Sequence, residues 1–168
     1  MAAERRRGLL AGALLAAALV GLAVLALVRA GSPPQGPVEV PLDAATCARC
    51  RMLVSDPSFA AQLHTEDGEV RFFDDPGCLL LHLDERAPDV HAAWVHHLRE
   101  ARWVPLDRAR FVAVPRSPMG HGLGAVGPEE APEGITAEEA LARLRRREEA
   151  RRAPGGAGRA HPAPGEAP

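Results

Sequence analysis

The chain has 168 residues and a formal net charge of −2 at pH 7. A charge this close to zero excludes binding through bulk electrostatic attraction to a polyanion, so no nucleic-acid partner is expected. The length leaves room for one small domain. The chain contains three cysteines, and in an exported protein an odd number indicates one free thiol or thiols kept for a metal.

The N-terminus carries an uncharged stretch of Leu, Ala, Val and Gly over residues 9–28. Its length matches the roughly 20 residues needed to cross the hydrocarbon core of a membrane. Three arginines precede it, which predicts that the N-terminus stays cytoplasmic and the rest lies outside. Residues 1–30 are therefore predicted to be a signal or transmembrane anchor, which either remains as a helix or is cleaved after Ala30. The protein is expected on the extracytoplasmic face of the cell membrane, periplasmic or outer.

The remainder divides into a Pro- and Gly-rich linker over 31–41, a domain with a C-terminal helix over 42–152, and a disordered tail over 153–168. The patterns predict, in order, strands over 59–64 and 69–73, a helix starting at Asp74-Asp75-Pro76, strands over 91–98, 102–104, 110–114 and 123–127, and a capped helix over 136–152. A hairpin, a helix and a strand, followed by more strands and a helix, indicate an α+β fold. The order admits two β-β-α-β units, the second abbreviated.

The first group of residues that could bind a metal or carry out chemistry is Cys47-Ala-Arg-Cys50-Arg-Met52. Two thiols and a thioether lie within six residues, and soft sulfur ligands select soft metals such as Cu(I). Haem attachment is excluded because Arg51, not His, follows the second cysteine. A disulfide beside a buried Met52, a redox couple and half of a zinc site all remain compatible with the spacing.

The second group is the loop Ser117-Pro-Met-Gly-His-Gly122, which presents Met119 and His121 between glycines. Alone it is more typical of an ordinary turn whose methionine fills a gap in the core. Paired with the cysteine motif, Met119 is interpreted as a second source of thioether sulfur. Cys78 lies among leucines on the apolar face of the predicted helix, so it is expected to be a buried, inert thiol, with a third sulfur ligand as the alternative.

These segments resemble the NosL family in order and spacing. The family comprises accessory copper chaperones for nitrous oxide reductase that act outside the cytoplasmic membrane. The resemblance covers about residues 42–127 and rests on the segments Asp43–Met52, Phe59–Gln62, Phe73–Cys78, Trp103, Phe111-Val112 and Ser117–Gly122. It implies a fold of repeated β-β-α-β units and a Cu(I) site.

The ligands that the resemblance implies are Cys50 and Met52 with Met119 from the later loop. It leaves open whether Cys47 binds directly, and His121 offers an additional imidazole. Arg51 stands where the family usually has glycine, and a hydrophobic segment replaces the usual lipid-bearing cysteine. Arg49 and Arg51 are expected to lower the pKa of the neighbouring thiol.

The resemblance therefore implies a membrane-tethered Cu(I) chaperone, not an enzyme. Its partner would be a copper-accepting apo-enzyme such as nitrous oxide reductase. Two alternatives stay open: a thiol–disulfide oxidoreductase using Cys47 and Cys50, or a structural zinc or disulfide-stapled interaction domain. The first predicts a helix directly after the CxxC, and Pro57 argues against one.

Overall fold

The computed structural model describes residues 14–24 and 33–153. Residues 14–24 lie in a helix, α1. The rest of the predicted anchor over 1–30 and nearly all of the predicted tail over 153–168 lie outside the described residues. Among the residues that are described, none of the helices is both long and apolar enough to cross a membrane.

Short strands and two helices make up the region from residue 33 to residue 153. The elements are a 3-10 turn Pro57–Phe59, β1 Ala61–Thr65, β2 Val70–Phe73, α2 Pro76–Arg86, β3 Val90–His96, β4 Trp103–Pro105, β5 Arg110–Ala113, β6 Leu123–Val126 and α3 Ala137–Arg152. The first half follows the order β-β-α-β, and β5, β6 and α3 give β-β-α later in the chain. All the strand pairs are antiparallel, so the predicted α+β class is confirmed.

Strand β1 is central in a four-stranded sheet of order β2-β1-β3-β4, and all five of its residues are buried. Successive side chains of a strand point to opposite faces, so both faces of β1 must be covered. Leu63 belongs to the hydrophobic core. Gln62 accepts a hydrogen bond from the Val38 N–H at 2.9 Å and donates one to the Val38 carbonyl at 3.1 Å. The segment predicted as a linker over 31–41 is thus attached to the sheet at Val38.

Helix α2 begins as predicted. The Asp75 side chain caps it by accepting a hydrogen bond from the Gly77 N–H at 2.7 Å, and Pro76 occupies the first turn. The first two turns are buried, which places Cys78 in the core beside the leucines. This helix packs against α3, β1 and β6.

Helix α3 carries the predicted capping box, in which Thr136 and Glu139 each bind the other's backbone N–H. Its apolar stripe is thin, because only Ala140 and Leu144 are buried. Strands β5 and β6 form a separate two-stranded sheet. The loop that joins them runs from residue 114 to residue 122 and returns past the N-terminus of α2, where the candidate site lies.

Candidate metal site

The cysteine motif forms the tip of a narrow loop. Thr46 and Leu53 pair as an isolated antiparallel bridge, and the Cys47 N–H donates to the Met52 carbonyl at 2.8 Å. The Ala48 N–H then donates to the Phe72 carbonyl at 2.9 Å, which ties the tip to the end of β2. Because β2 leads directly into α2, this bond brings the first thiol of the motif close to the start of that helix.

Three thiols meet at this point: the sulfur atoms of Cys47, Cys50 and Cys78 all lie within 4.8 Å of one another. None of them forms a disulfide. Cys47 and Cys78 are fully buried, whereas Cys50 is half-buried. The expectation that Cys78 is buried is therefore confirmed, but its sulfur adjoins the motif. The only sequence signal for this was its position in the first turn of a helix that follows a strand directly.

The thiols differ in their readiness to ionise. A hydrogen bond from the Cys78 thiol lowers the pKa of Cys47 to about 4, because it stabilises the thiolate against the opposing effect of burial. The backbone N–H groups of Cys50, Asp74 and Arg49 add to this stabilisation. The same hydrogen bond raises the pKa of Cys78, as does its burial. This bond therefore favours a thiolate at Cys47 and a protonated thiol at Cys78.

The predicted effect of the neighbouring arginines on Cys50 is wrong, because burial raises the pKa of this thiol. The Arg49 guanidinium turns instead to two helices, with Glu85 of α2 at 2.8 Å and Glu148 of α3 at 2.9 Å. Arg51 is exposed at the surface of the loop. Arg49 therefore anchors the loop to α2 and α3, and Arg51 lies at its surface. Neither arginine lowers the pKa of Cys50.

The two methionines occupy different environments. The Met52 side chain is 57% exposed, beside the half-buried Cys50 in the chain. Met119 is half-buried and packs against the hydrophobic core that includes Cys47 and Cys78. The ligand roles expected for both methionines stay predictions. The Met52 thioether lies at the surface, and the Met119 thioether lies against the core.

His121 lies against the start of α2. Its Nε2 is 3.9 Å from the Cys78 sulfur. Its ring covers Gly77, where an added Cβ would come within 2.5 Å of the His121 Cγ. Arg147 of α3 donates to the His121 carbonyl at 2.8 Å. The approach of the loop to the helix therefore depends on the absence of a side chain at residue 77.

The backbone explains why glycine suits position 51. Arg51 has φ of +67°, in the left-handed region that a side chain disfavours. Arg51→Gly is therefore expected to raise the free energy of unfolding by about 1 kcal/mol, measured by chemical denaturation of the metal-free chain. Arg116→Gly is the control, since this exposed residue has no positive φ. Equal destabilisation by both substitutions would contradict the expected strain at Arg51.

The surroundings of the CxxC differ from those of a redox centre. In the described part of the chain no helix begins at this motif, and the next element is the 3-10 turn Pro57–Phe59. Cys47, whose pKa is low, is fully buried, so a substrate disulfide has no path to its sulfur. Both features count against the oxidoreductase alternative.

A second cluster of ligand-type side chains joins His97, Glu100 and Glu130. His97 is fully buried, as is His64, and His82 is nearly so. His97 Nδ1 accepts the Glu100 N–H at 3.0 Å, and its Nε2 bonds Glu130 at 2.5 Å. Since both ring nitrogens are occupied, this cluster is a structural network.

A solved structure similar to this chain is the crystal structure of the copper chaperone NosL from Shewanella denitrificans. The two align with a TM-score of 0.50 and 20% sequence identity, over 66% of this chain and 89% of that chain. No family model matches the chain, and no curated protein matches its sequence. A likeness at this level of identity is a likeness of fold. The chain therefore has a NosL-like fold, as its motifs implied.

Proposed function

We propose that the protein is a Cu(I)-binding metallochaperone that carries copper to a copper-accepting apo-enzyme. The observation that carries the proposal is the cluster of three cysteine sulfurs within 4.8 Å on a NosL-like fold. Cu(I) is a soft ion that prefers thiolate and thioether ligands. The lowered pKa of Cys47 favours its thiolate, so the site offers a charged sulfur at a smaller cost in proton release.

The cluster supplies the ligands in an order set by burial. Cys47 and Cys78 hold the metal from the inside, and the half-buried Cys50 closes the outer side. Met119 is the thioether ligand on the side of the β5–β6 loop. The exposed Met52 is the thioether that an acceptor meets first. His121 lies next to Cys78 and offers an additional imidazole nitrogen near the site.

This gradient of exposure favours transfer over storage. An acceptor ligand can approach Cys50 and Met52 while the inner thiols still hold the ion, so the metal passes by stepwise exchange of ligands. The acceptor is an apo-cuproenzyme such as nitrous oxide reductase, and the meeting place is the extracytoplasmic face of the membrane. Residues 1–30 tether the domain there or direct its export. The protein catalyses no reaction in this role.

The test is an anaerobic competition titration of the full chain, in detergent, against a chromophoric Cu(I) chelator. One tightly bound Cu(I) per chain is expected. Cys50→Ser is expected to weaken binding at least about 100-fold, and Met119→Ala about 10-fold, since each removes a sulfur ligand. Leu83→Ala is the control, because Leu83 also packs half-buried against the core but offers no ligand. Unchanged affinity in both ligand variants would contradict the proposed site.

A zinc site is the second candidate: His121 Nε2 lies 3.9 Å from the Cys78 sulfur, so an inward shift of its ring would add to the three thiols the fourth ligand that structural zinc uses. The two metals are separated by His121→Ala. A zinc site loses its fourth ligand and releases zinc, whereas the sulfur-bound Cu(I) keeps its affinity. Stoichiometric zinc that survives purification, with no uptake of Cu(I), would favour the structural role.

A further inference from the structure

The carboxylate of Asp75 makes more contacts than a helix cap requires. The residue is fully buried at the start of α2. Its Oδ1 caps the helix by accepting the Gly77 N–H at 2.7 Å. Its Oδ2 accepts two further hydrogen bonds from the β5–β6 loop, from the Ser117 hydroxyl at 2.6 Å and the Met119 N–H at 3.2 Å. One buried carboxylate thus joins the helix that carries Cys78 to the loop that carries Met119.

The loop depends on anchors of this kind because it has little regular structure of its own. Gly120 and Gly122 both have positive φ, so the backbone bends sharply on either side of His121. The Ser117 hydroxyl also accepts the Gly122 N–H at 3.0 Å, which makes Ser117 the relay between Asp75 and the end of the loop. Met119, by contrast, is held through its own N–H directly by the carboxylate.

We propose that Asp75 is a positioning residue for copper: its carboxylate fixes the Met119 loop against the three thiols, so that the thioether is in place before Cu(I) binds. The inference rests on the proposed function of the site. A ligand held in its bound position before the metal arrives loses less conformational freedom on binding. Groups that orient metal ligands in this way typically change metal affinity 10- to 100-fold when removed.

Asp75→Asn separates the two roles of this residue. Asparagine caps helices as well as aspartate does, so its remaining oxygen keeps the bond from the Gly77 N–H. The amide nitrogen that replaces Oδ2 is a donor, so it cannot accept the Met119 N–H, and it keeps a bond to Ser117 only if that hydroxyl turns to accept. The substitution should therefore release the loop and leave the helix capped. Ser117→Ala is a second variant that touches no cap: it removes the bond to Asp75 and the bond from the Gly122 N–H, and it leaves the Met119 N–H on the carboxylate.

Asp56→Asn is the matched control. Asp56 caps the 3-10 turn Pro57–Phe59 through a bond from the Ser58 N–H at 2.9 Å and holds no loop of the site. The same chemical change is thus made at a cap in both variants. Only Asp75→Asn is expected to alter the Met119 loop.

The first measurement needs no metal. Amide hydrogen exchange in the metal-free full chain is expected to speed up at least about 10-fold at Met119 and Gly122 in Asp75→Asn, with the core of α2 unchanged. The second is the Cu(I) titration, in which Asp75→Asn should weaken binding about 10- to 100-fold. In the double variant with Met119→Ala, the loss should be no greater than with the larger single substitution, because both act through one thioether.

Unchanged exchange at Met119, or losses that multiply in the double variant, would overturn the role of Asp75. That result is distinct from a failure of the proposed function. If the wild-type chain takes up no Cu(I), the function fails, whatever Asp75 does to the loop. If the wild type binds Cu(I) and Met119→Ala weakens binding while Asp75→Asn does not, only the positioning role fails.

Discussion

Cys78→Ser is expected to lower the Cu(I) affinity of the chain at least about 100-fold, although the residue lies outside the CxxC motif. The reason is geometric, because the Cys78 sulfur completes a set of three within 4.8 Å. Serine is chosen since its hydroxyl can still donate a hydrogen bond to Cys47. The substitution therefore removes a soft ligand and leaves a donor in its place. A competition titration under anaerobic conditions measures the loss.

The companion variant Cys78→Ala removes both the sulfur and the donor. If Cys78 only stabilises the Cys47 thiolate, alanine should weaken binding and serine should not. Val95→Thr controls for the cost of a hydroxyl in the core, since Val95 is equally buried in β3 and lies outside the thiol cluster. Full affinity in Cys78→Ser would remove Cys78 from the proposed ligand set and leave it a hydrogen-bond donor.

The helix starts could be predicted from the sequence because their signals are local. Asp75 and Pro76 provide a cap and a first turn, and Thr136 and Glu139 a capping box, whatever the rest of the chain does. The turn between β1 and β2 is local too: Asp67-Gly68 is a dipeptide typical of hairpin turns, and Gly68 has φ of +85°. Hydrogen bonds that close within a few residues are specified by those residues alone.

The cluster of thiols could be predicted only in part. The apolar neighbours of Cys78 correctly indicated burial, and burial was interpreted as inertness. What brings its sulfur to the motif is the bond from the Ala48 N–H to the Phe72 carbonyl, between segments with no shared sequence signal. The ion pairs of Arg49 with Glu85 and Glu148 likewise join residues that are far apart in the sequence. Contacts set by tertiary packing leave no pattern of spacing to detect.

The Cu(I) affinity is expected to rise with pH by about 100-fold per unit between about pH 6 and 8, a slope of two protons. Three thiols that all bind as thiolates would ordinarily release three protons. Here the pKa of Cys47 is lowered to about 4, so its proton is already absent above that pH, and its contribution is lost only as the pH falls through 4. Cys50 and Cys78 have raised pKa values, so each must release a proton on binding. Burial lowers the pKa of His121, which stays neutral and releases none.

Two variants separate the contributions to this slope. Cys78→Ser should reduce it to about one, because a single neutral thiol, Cys50, remains to be deprotonated. Cys47→Ser should weaken binding at every pH, yet keep a slope of about two, because the lost residue carried no proton. Titrations at several pH values, with proton release followed in weak buffer, give both quantities. A wild-type slope of three would mean that Cys47 holds its proton in the metal-free chain, in which case the Cys78 thiol does not stabilise a thiolate there.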